Sequence, residues 1–231
     1  MERIEREAFL AHATLPTFKR KVEKAKEIIR EALAIAPAYV ALSWGKDSVV
    51  MLHLVQSICP DILAFHYGSI ESSTGIVANF PEVIETYRAK FSTNYQELIA
   101  LPEWAFTPDT VRDRIQATID PKYQVALVGV RAEESKYRRM AIKQYGVIHQ
   151  YKSDGLWRCF PLAYWQTADI WAYTCIHDLP YLDAYEYSDR TNPHASFWFS
   201  QSKDFVETQK ENIKKNNPKL NQFLEQRYGT C

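Results

Sequence analysis

Cysteine is scarce in this chain and scattered. Cys59, Cys159, Cys175 and Cys231 form no adjacent pair and no C-x-x-C pair, so the spacing argues against an iron–sulfur cluster, which needs suitably arranged thiolates. Six histidines show no H-E-x-x-H or similar spacing, so no structural zinc site is expected. Charge of one sign is not in excess: 28 Lys+Arg balance 28 Asp+Glu. That balance argues against non-specific nucleic-acid binding as the main task, while leaving room for a local basic patch. No apolar run reaches the length of about 18 residues that a membrane span needs. The first residues, Met1-Glu2-Arg3-Ile4-Glu5-Arg6-Glu7, are charged and unlike a signal peptide, so a cytoplasmic location is expected. No internal repeat or low-complexity tract is visible.

What is present is an ordinary globular composition, 46% hydrophobic and 24% charged over 231 residues, enough for one domain with a substantial core. Apolar residues at Val22, Ala25, Ile28, Ile29 and Leu33 predict an amphipathic helix over 17–35. Strands predicted at 38–42, 62–65, 95–100 and 125–130 then alternate with helices at about 47–58, 76–90, 108–118 and 133–143. Such alternation predicts an α/β fold, a mostly parallel twisted sheet with helices on both faces. A short antiparallel hairpin is expected at 147–151 and 156–159 around Asp154-Gly155, and a helix at about 167–178. Residues 181–199 read as loop. Residues 203–228 read as helical, interrupted at Asn216-Asn217-Pro218. The expected division is a nucleotide-binding domain with an N-terminal helix over 1–187, then a C-terminal loop and helical tail over 188–231.

The chemistry concentrates in Ser43-Trp44-Gly45-Lys46-Asp47-Ser48, between an apolar strand and an apolar helix. A tight polar loop there aims backbone N–H groups and the positive end of the helix dipole at an anion. It is not a Walker A loop, which needs glycine where Val40 stands and Ser or Thr directly after the lysine. A second segment runs from the strand Val125–Val130 through Gly129 and Arg131 to Ser135, Arg138 and Arg139, presenting cations at a strand's carboxyl end. A third is Phe160-Pro161-Leu162-Ala163-Tyr164-Trp165-Gln166-Thr167-Ala168-Asp169-Ile170-Trp171.

The first segment resembles the Ser-Gly-Gly-x-Asp-Ser PP-loop of ATP pyrophosphatases. The second and third resemble signatures of phosphoadenosine phosphosulfate (PAPS) reductases and of the small subunit of bacterial sulfate adenylyltransferase. Together they cover roughly residues 38–187. The resemblance implies ATP with Mg²⁺ as the bound nucleotide, Lys46 at the β- and γ-phosphates, and Asp47 as a Mg²⁺ ligand or loop positioner. It implies catalytic roles for Lys46, Asp47 and Arg131. The implied phosphate and nucleotide contacts are Ser43, Trp44, Gly45, Lys46, Asp47, Ser48, His66, Gly129, Arg131, Ser135, Arg138 and Arg139. Trp44 departs from the pattern, which has glycine there; a side chain resists φ > 0 and close backbone approach, leaving the loop path open. His66 matches a family histidine but is followed by Tyr67 instead of an acid, and a histidine bonded to a backbone carbonyl explains it equally well.

Three functions follow from the resemblance. The first is cleavage of ATP between its α- and β-phosphates, adenylating an oxyanion acceptor (sulfate-like, a flavin phosphate or a nucleobase) with release of pyrophosphate. The second is thiol-dependent PAPS reduction with Cys231 as nucleophile, although the Glu-Cys-Gly-x-His setting of that family is missing and only Arg227 is near enough in sequence to lower the thiol's pKa. The third is a non-catalytic nucleotide-binding subunit. A protein partner or homo-oligomer is compatible with all three. Arg190 and His194, within residues 181–200, are the polar residues of a candidate lid.

Overall fold

The structure, a computed structural model, describes residues 1–69, 85, 88, 94–100, 111–187, 211 and 213–228. Two helices come first, α1 (Arg3–Ala13) and α2 (Pro16–Leu33). The sheet and its helices follow as β1 (Ala38–Leu42), α3 (Lys46–Gln56), β2 (Leu63–Ser69), β3 (Asn94–Ala100), α4 (Val111–Thr118) and β4 (Val125–Val128). Then come α5 (Lys136–Tyr145), β5 (Ile148–Gln150), β6 (Trp157–Cys159), α6 (Thr167–Ile176) and α7 (Pro218–Tyr228). The helix expected over 76–90 and most of the expected lid segment lie outside the described residues.

The six strands run in the order β3-β2-β1-β4-β6-β5. All neighbours pair in parallel except β5, which returns antiparallel along β6 with His149 opposite Arg158. Gly155, at φ 69 in the hairpin turn, supplies a left-handed conformation that a Cβ would strain. This is the predicted α/β architecture.

Strand periodicity divides the core in two. In β1, Ala38, Val40 and Leu42 face one layer while Tyr39 and Ala41 face the other, as a period of two requires. The first layer is closed by Phe18, Ile28 and Ile29 of α2, by α3, and by Ile170 and Tyr173 of α6. The second is closed by Ile115 of α4 together with Ile119 and Tyr123. α3 is buried nearly all round, which is why its sequence, Val49-Val50-Met51-Leu52, lacks a polar stripe.

Local chemistry marks the helix ends. Pro16 occupies the first turn of α2, where its missing N–H costs nothing. The expected interruption at Asn216-Asn217-Pro218 is a helix start: Asn217 Oδ1 accepts the Leu220 N–H at 3.1 Å ahead of α7. Leu220 and Phe223 of that helix pack with Trp171 and Tyr185. No described helix is long and apolar enough to cross a membrane.

α1 was not predicted. Its Ile4 is 78% exposed, and Ala13 is its one buried residue. It is held by distant partners instead, with Phe9 against Trp171 and His12 against Asp169.

Candidate active site

β1 ends at Leu42 and α3 begins at Lys46, so Ser43, Trp44 and Gly45 must turn the chain within three residues. Trp44 makes that turn at φ 60. The sequence argument that a side chain resists this conformation meets its answer in packing. A left-handed residue costs roughly 1–2 kcal/mol, but the indole is buried against the His66 ring at 6.2 Å and the Tyr95 ring at 5.8 Å. Burying a large aromatic side chain is worth more than that strain. Ser48 braces the turn from inside the helix. Its hydroxyl donates to Gly45 O at 2.9 Å, accepts from Ser43 N at 3.2 Å, and lies 3.2 Å from Ser43 Oγ.

In front of the loop lies a cleft of about 340 Å³, lined by Ser43, Gly45, Asp47 and Ser48 from the loop and by Gly129, Glu134 and Arg138 from beyond β4. Tyr39, Phe65 and Tyr67 close its apolar side. The cleft sits where β1 and β4 adjoin and the strand order reverses, the place where open α/β sheets bind ligands. Gly129 permits this closeness: a Cβ there would meet the backbone C and O of Asp47 at 3.0 Å.

The cations expected at the ligand are instead drawn behind the loop. Lys46 and Arg131 are 4% and 0% exposed, and neither lines the cleft. Asp47 lies between them, with Oδ2 2.9 Å from Lys46 Nζ and Oδ1 2.6 Å from Arg131 Nε. Both oxygens of the expected Mg²⁺ ligand therefore already face cations. Arg131 also donates to Glu133 Oε2 at 2.5 Å and to Thr167 Oγ1 at 3.2 Å, while Glu133 accepts the Thr167 N–H at 2.7 Å. Arg131 thus fastens the loop to the start of α6. Arg138 is the expected cation that does reach the cleft, and it is paired with Glu134.

The remaining predicted residues take plainer places. His66 is buried, with Nδ1 2.9 Å from Leu42 O, so the backbone-carbonyl alternative accounts for that contact. Ser135 caps α5 by accepting the Arg138 N–H at 3.1 Å. Arg139 is exposed on α5 and outside the cleft lining. Cys231, Arg190 and His194 lie outside the described residues. Cys159 is fully buried, and that burial pushes its thiol well above the ordinary range, leaving it inert.

Sequence reasoning missed Tyr185. It lies in a short 3-10 turn, Asp183–Glu186, in the stretch read as loop. Its hydroxyl is 3.4 Å from the Lys46 backbone N–H, and Lys46 Nζ sits 5.4 Å from its ring centre. Burial, with the Asp47 charge beside it, raises its pKa far above the usual tyrosine value, so it remains a neutral partner. The signal available was the density of aromatics in that stretch, which does not say which ring turns inward. The third motif also has a structural meaning. Asp169, 1% exposed, accepts from His12 at 2.8 Å, Lys21 at 2.5 Å and the Gln166 N–H at 2.6 Å, tying α1 and α2 to α6.

Comparison with known proteins bears on this geometry. The family model described as phosphoadenosine phosphosulfate reductase domain matches residues 37–188. Comparison with curated proteins finds no match. Among solved structures, the chain is similar to phosphoadenylyl-sulfate (PAPS) reductase from Candida auris in its phosphate complex, with 15% identity and TM-score 0.54 over 84% of this chain and 97% of that one. It is also similar to the U34-tRNA thiolase NcsA from Methanococcus maripaludis with its [4Fe-4S] cluster, with 15% identity and TM-score 0.51 over 91% of this chain and 78% of that one.

The second likeness corrects the expected cofactor set of ATP with Mg²⁺ and neither cluster nor zinc. A protein of this fold carries a [4Fe-4S] cluster, so scattered cysteine spacing does not exclude one: ligands are gathered by tertiary structure, not by sequence proximity. Among the described residues no three His, Cys, Asp or Glu side chains gather as metal ligands. The match across two thirds of the sequence, with the fold and loop that accompany it, places this chain in the phosphoadenosine phosphosulfate reductase domain family.

Proposed function

We propose that this protein binds ATP in the cleft and transfers its adenylyl group to an oxyanion acceptor, releasing pyrophosphate. The observation that carries this reading is the Ser43–Ser48 loop. It makes a tight polar turn at the switch point of the sheet although Trp44 must adopt φ 60 to do so, which supports a phosphate site there. An acceptor oxygen forms a bond to the α-phosphorus while the bond from that phosphorus to the bridging oxygen breaks, its electron pair leaving with pyrophosphate. Such chemistry is chiefly positioning and charge stabilisation. Ser43 and Arg138 line the cleft, Ser48 braces the loop through Gly45 O, and Lys46 and Arg131 fix the Asp47 carboxylate between them.

The family match favours a second reading, thiol-dependent reduction of PAPS, for which Cys231, outside the matched residues, is the candidate thiol. In that reaction the thiolate sulfur bonds to the sulfonate sulfur and adenosine 3′,5′-bisphosphate leaves. One panel separates the two: pyrophosphate release from ATP, with and without a divalent cation, across candidate acceptors, beside bisphosphate release from PAPS. The first reading expects pyrophosphate release that falls at least tenfold in Ser48→Ala, with the ligand-free melting temperature as the folding control. Turnover of PAPS alone, lost in Cys231→Ser, would replace it with the second.

A further inference from the structure

Beside the cleft is a surface that, apart from Arg138, the proposed chemistry does not use. Between Ser135 and Ser153 the chain carries five Lys and Arg side chains and no Asp or Glu, within a protein of formal net charge +0. All five (Lys136, Arg138, Arg139, Lys143 and Lys152) are exposed. Four lie on α5, and Arg138 also reaches the cleft.

Planar groups continue from the end of that helix onto the edge of the sheet. The Tyr145 and His149 rings lie 5.5 Å apart at 32°, and His149 and Tyr151 lie 4.8 Å apart at 31°. Arg158 covers the Tyr151 ring at 5.2 Å. Tyr145 is 56% exposed, and Tyr137, on the same helix, is 85% exposed.

We infer that α5 and the β5–β6 hairpin bind a single-stranded nucleic acid, the lysines and arginines along its phosphates and the exposed tyrosines against its bases. Exposed cations and exposed aromatic rings on one short helix and its adjoining hairpin offer such a strand both features it can be held by, because every base has a π-face and every linkage a negative charge. A lipid surface or an acidic protein would meet the charge but would leave the exposed Tyr137 and Tyr145 rings without a role. The inference goes beyond the proposed chemistry and stands without it, since binding is read with no nucleotide in the cleft.

The test is fluorescence anisotropy of the full chain with end-labelled single-stranded dodecamers of RNA and of DNA, beside a duplex of equal length and phosphatidylserine vesicles. The expected result is a dissociation constant on the order of micromolar at low salt, rising steeply as salt increases. Tighter binding of the RNA or of the DNA strand identifies the source. Tyr145→Ala is expected to weaken binding about tenfold, and Lys143→Ala with Lys152→Ala to lower the salt slope by about two. Lys24→Ala, an exposed cation on α2, is expected to change neither. Equal affinity in all variants, a duplex bound as tightly as the single strands, or binding to vesicles alone would overturn the inference.

Discussion

Gly129 lies so close to Asp47 that a Cβ on the glycine would stand 3.0 Å from the Asp47 carbonyl and 3.2 Å from the Ser48 nitrogen. The neighbours it would meet are backbone atoms, which cannot swing away as a flexible side chain would. Gly129→Ala is therefore expected to push the end of β4 from the loop, destabilising by about 1–3 kcal/mol and widening the cleft. Urea denaturation and pyrophosphate release on the same preparation check this. A variant of unchanged stability and activity would show that the contact relaxes freely.

Trp44→Gly sets two effects against each other. The substitution relieves the left-handed strain, roughly 1–2 kcal/mol, and removes a buried indole, whose loss typically costs about 3–5 kcal/mol. Packing wins in this balance, so the expected outcome is a protein less stable by about 2 kcal/mol, the difference of those two magnitudes. A rise in the denaturation midpoint would mean that the indole contributes little to the core.

Arg131→Lys keeps the charge and loses the fork. Lysine cannot reproduce donation to Asp47, Glu133 and Thr167 from one planar group. Breaking a buried ion pair costs about 3–5 kcal/mol, and a substantial part of that loss is expected in thermal melts. The loop loses its tie to α6, so affinity for ATP should fall with it. A lysine variant that melts and binds like the parent would sink the bracing role.

Asp169 gives the protein a pH dependence of known sign. Burial disfavours its charge, but hydrogen bonds from His12, Lys21 and the Gln166 N–H, with the Lys21 charge, outweigh burial and hold its pKa below the ordinary carboxylate value. A depressed folded-state pKa contributes stability that is present above the unfolded value, about 3.9, and is lost as pH falls through the folded one. Asp169→Asn is expected to lower stability at pH 7 by about 3 kcal/mol and to flatten the acid limb of a melting-temperature profile below about pH 5. Equal acid limbs would place the acid sensitivity elsewhere.

Most of the sheet was legible because its signals are local. β1 and β4 are apolar runs bounded by turns, the hairpin carries Asp154-Gly155 at its tip, and α2 has a clean helical period. α1 was not legible, since its order comes from Asp169 and Trp171 more than 150 positions away. The loop could be located by residue type, but not the direction in which its charges point. Lys46 and Arg131 look like ligand contacts in a linear reading; the fold turns both inward onto Asp47.

By itself the sequence determined the alternation of strands and helices, the polar turn after β1 and the glycine–arginine turn after β4. Each follows from backbone propensity and side-chain period within a few residues. Tertiary structure alone decided that Trp44 holds a left-handed turn, that Tyr185 underlies Lys46, and that Asp169 serves the N-terminal helices. Each of those depends on the free energy of burying a group against partners remote in the chain, which no local pattern encodes.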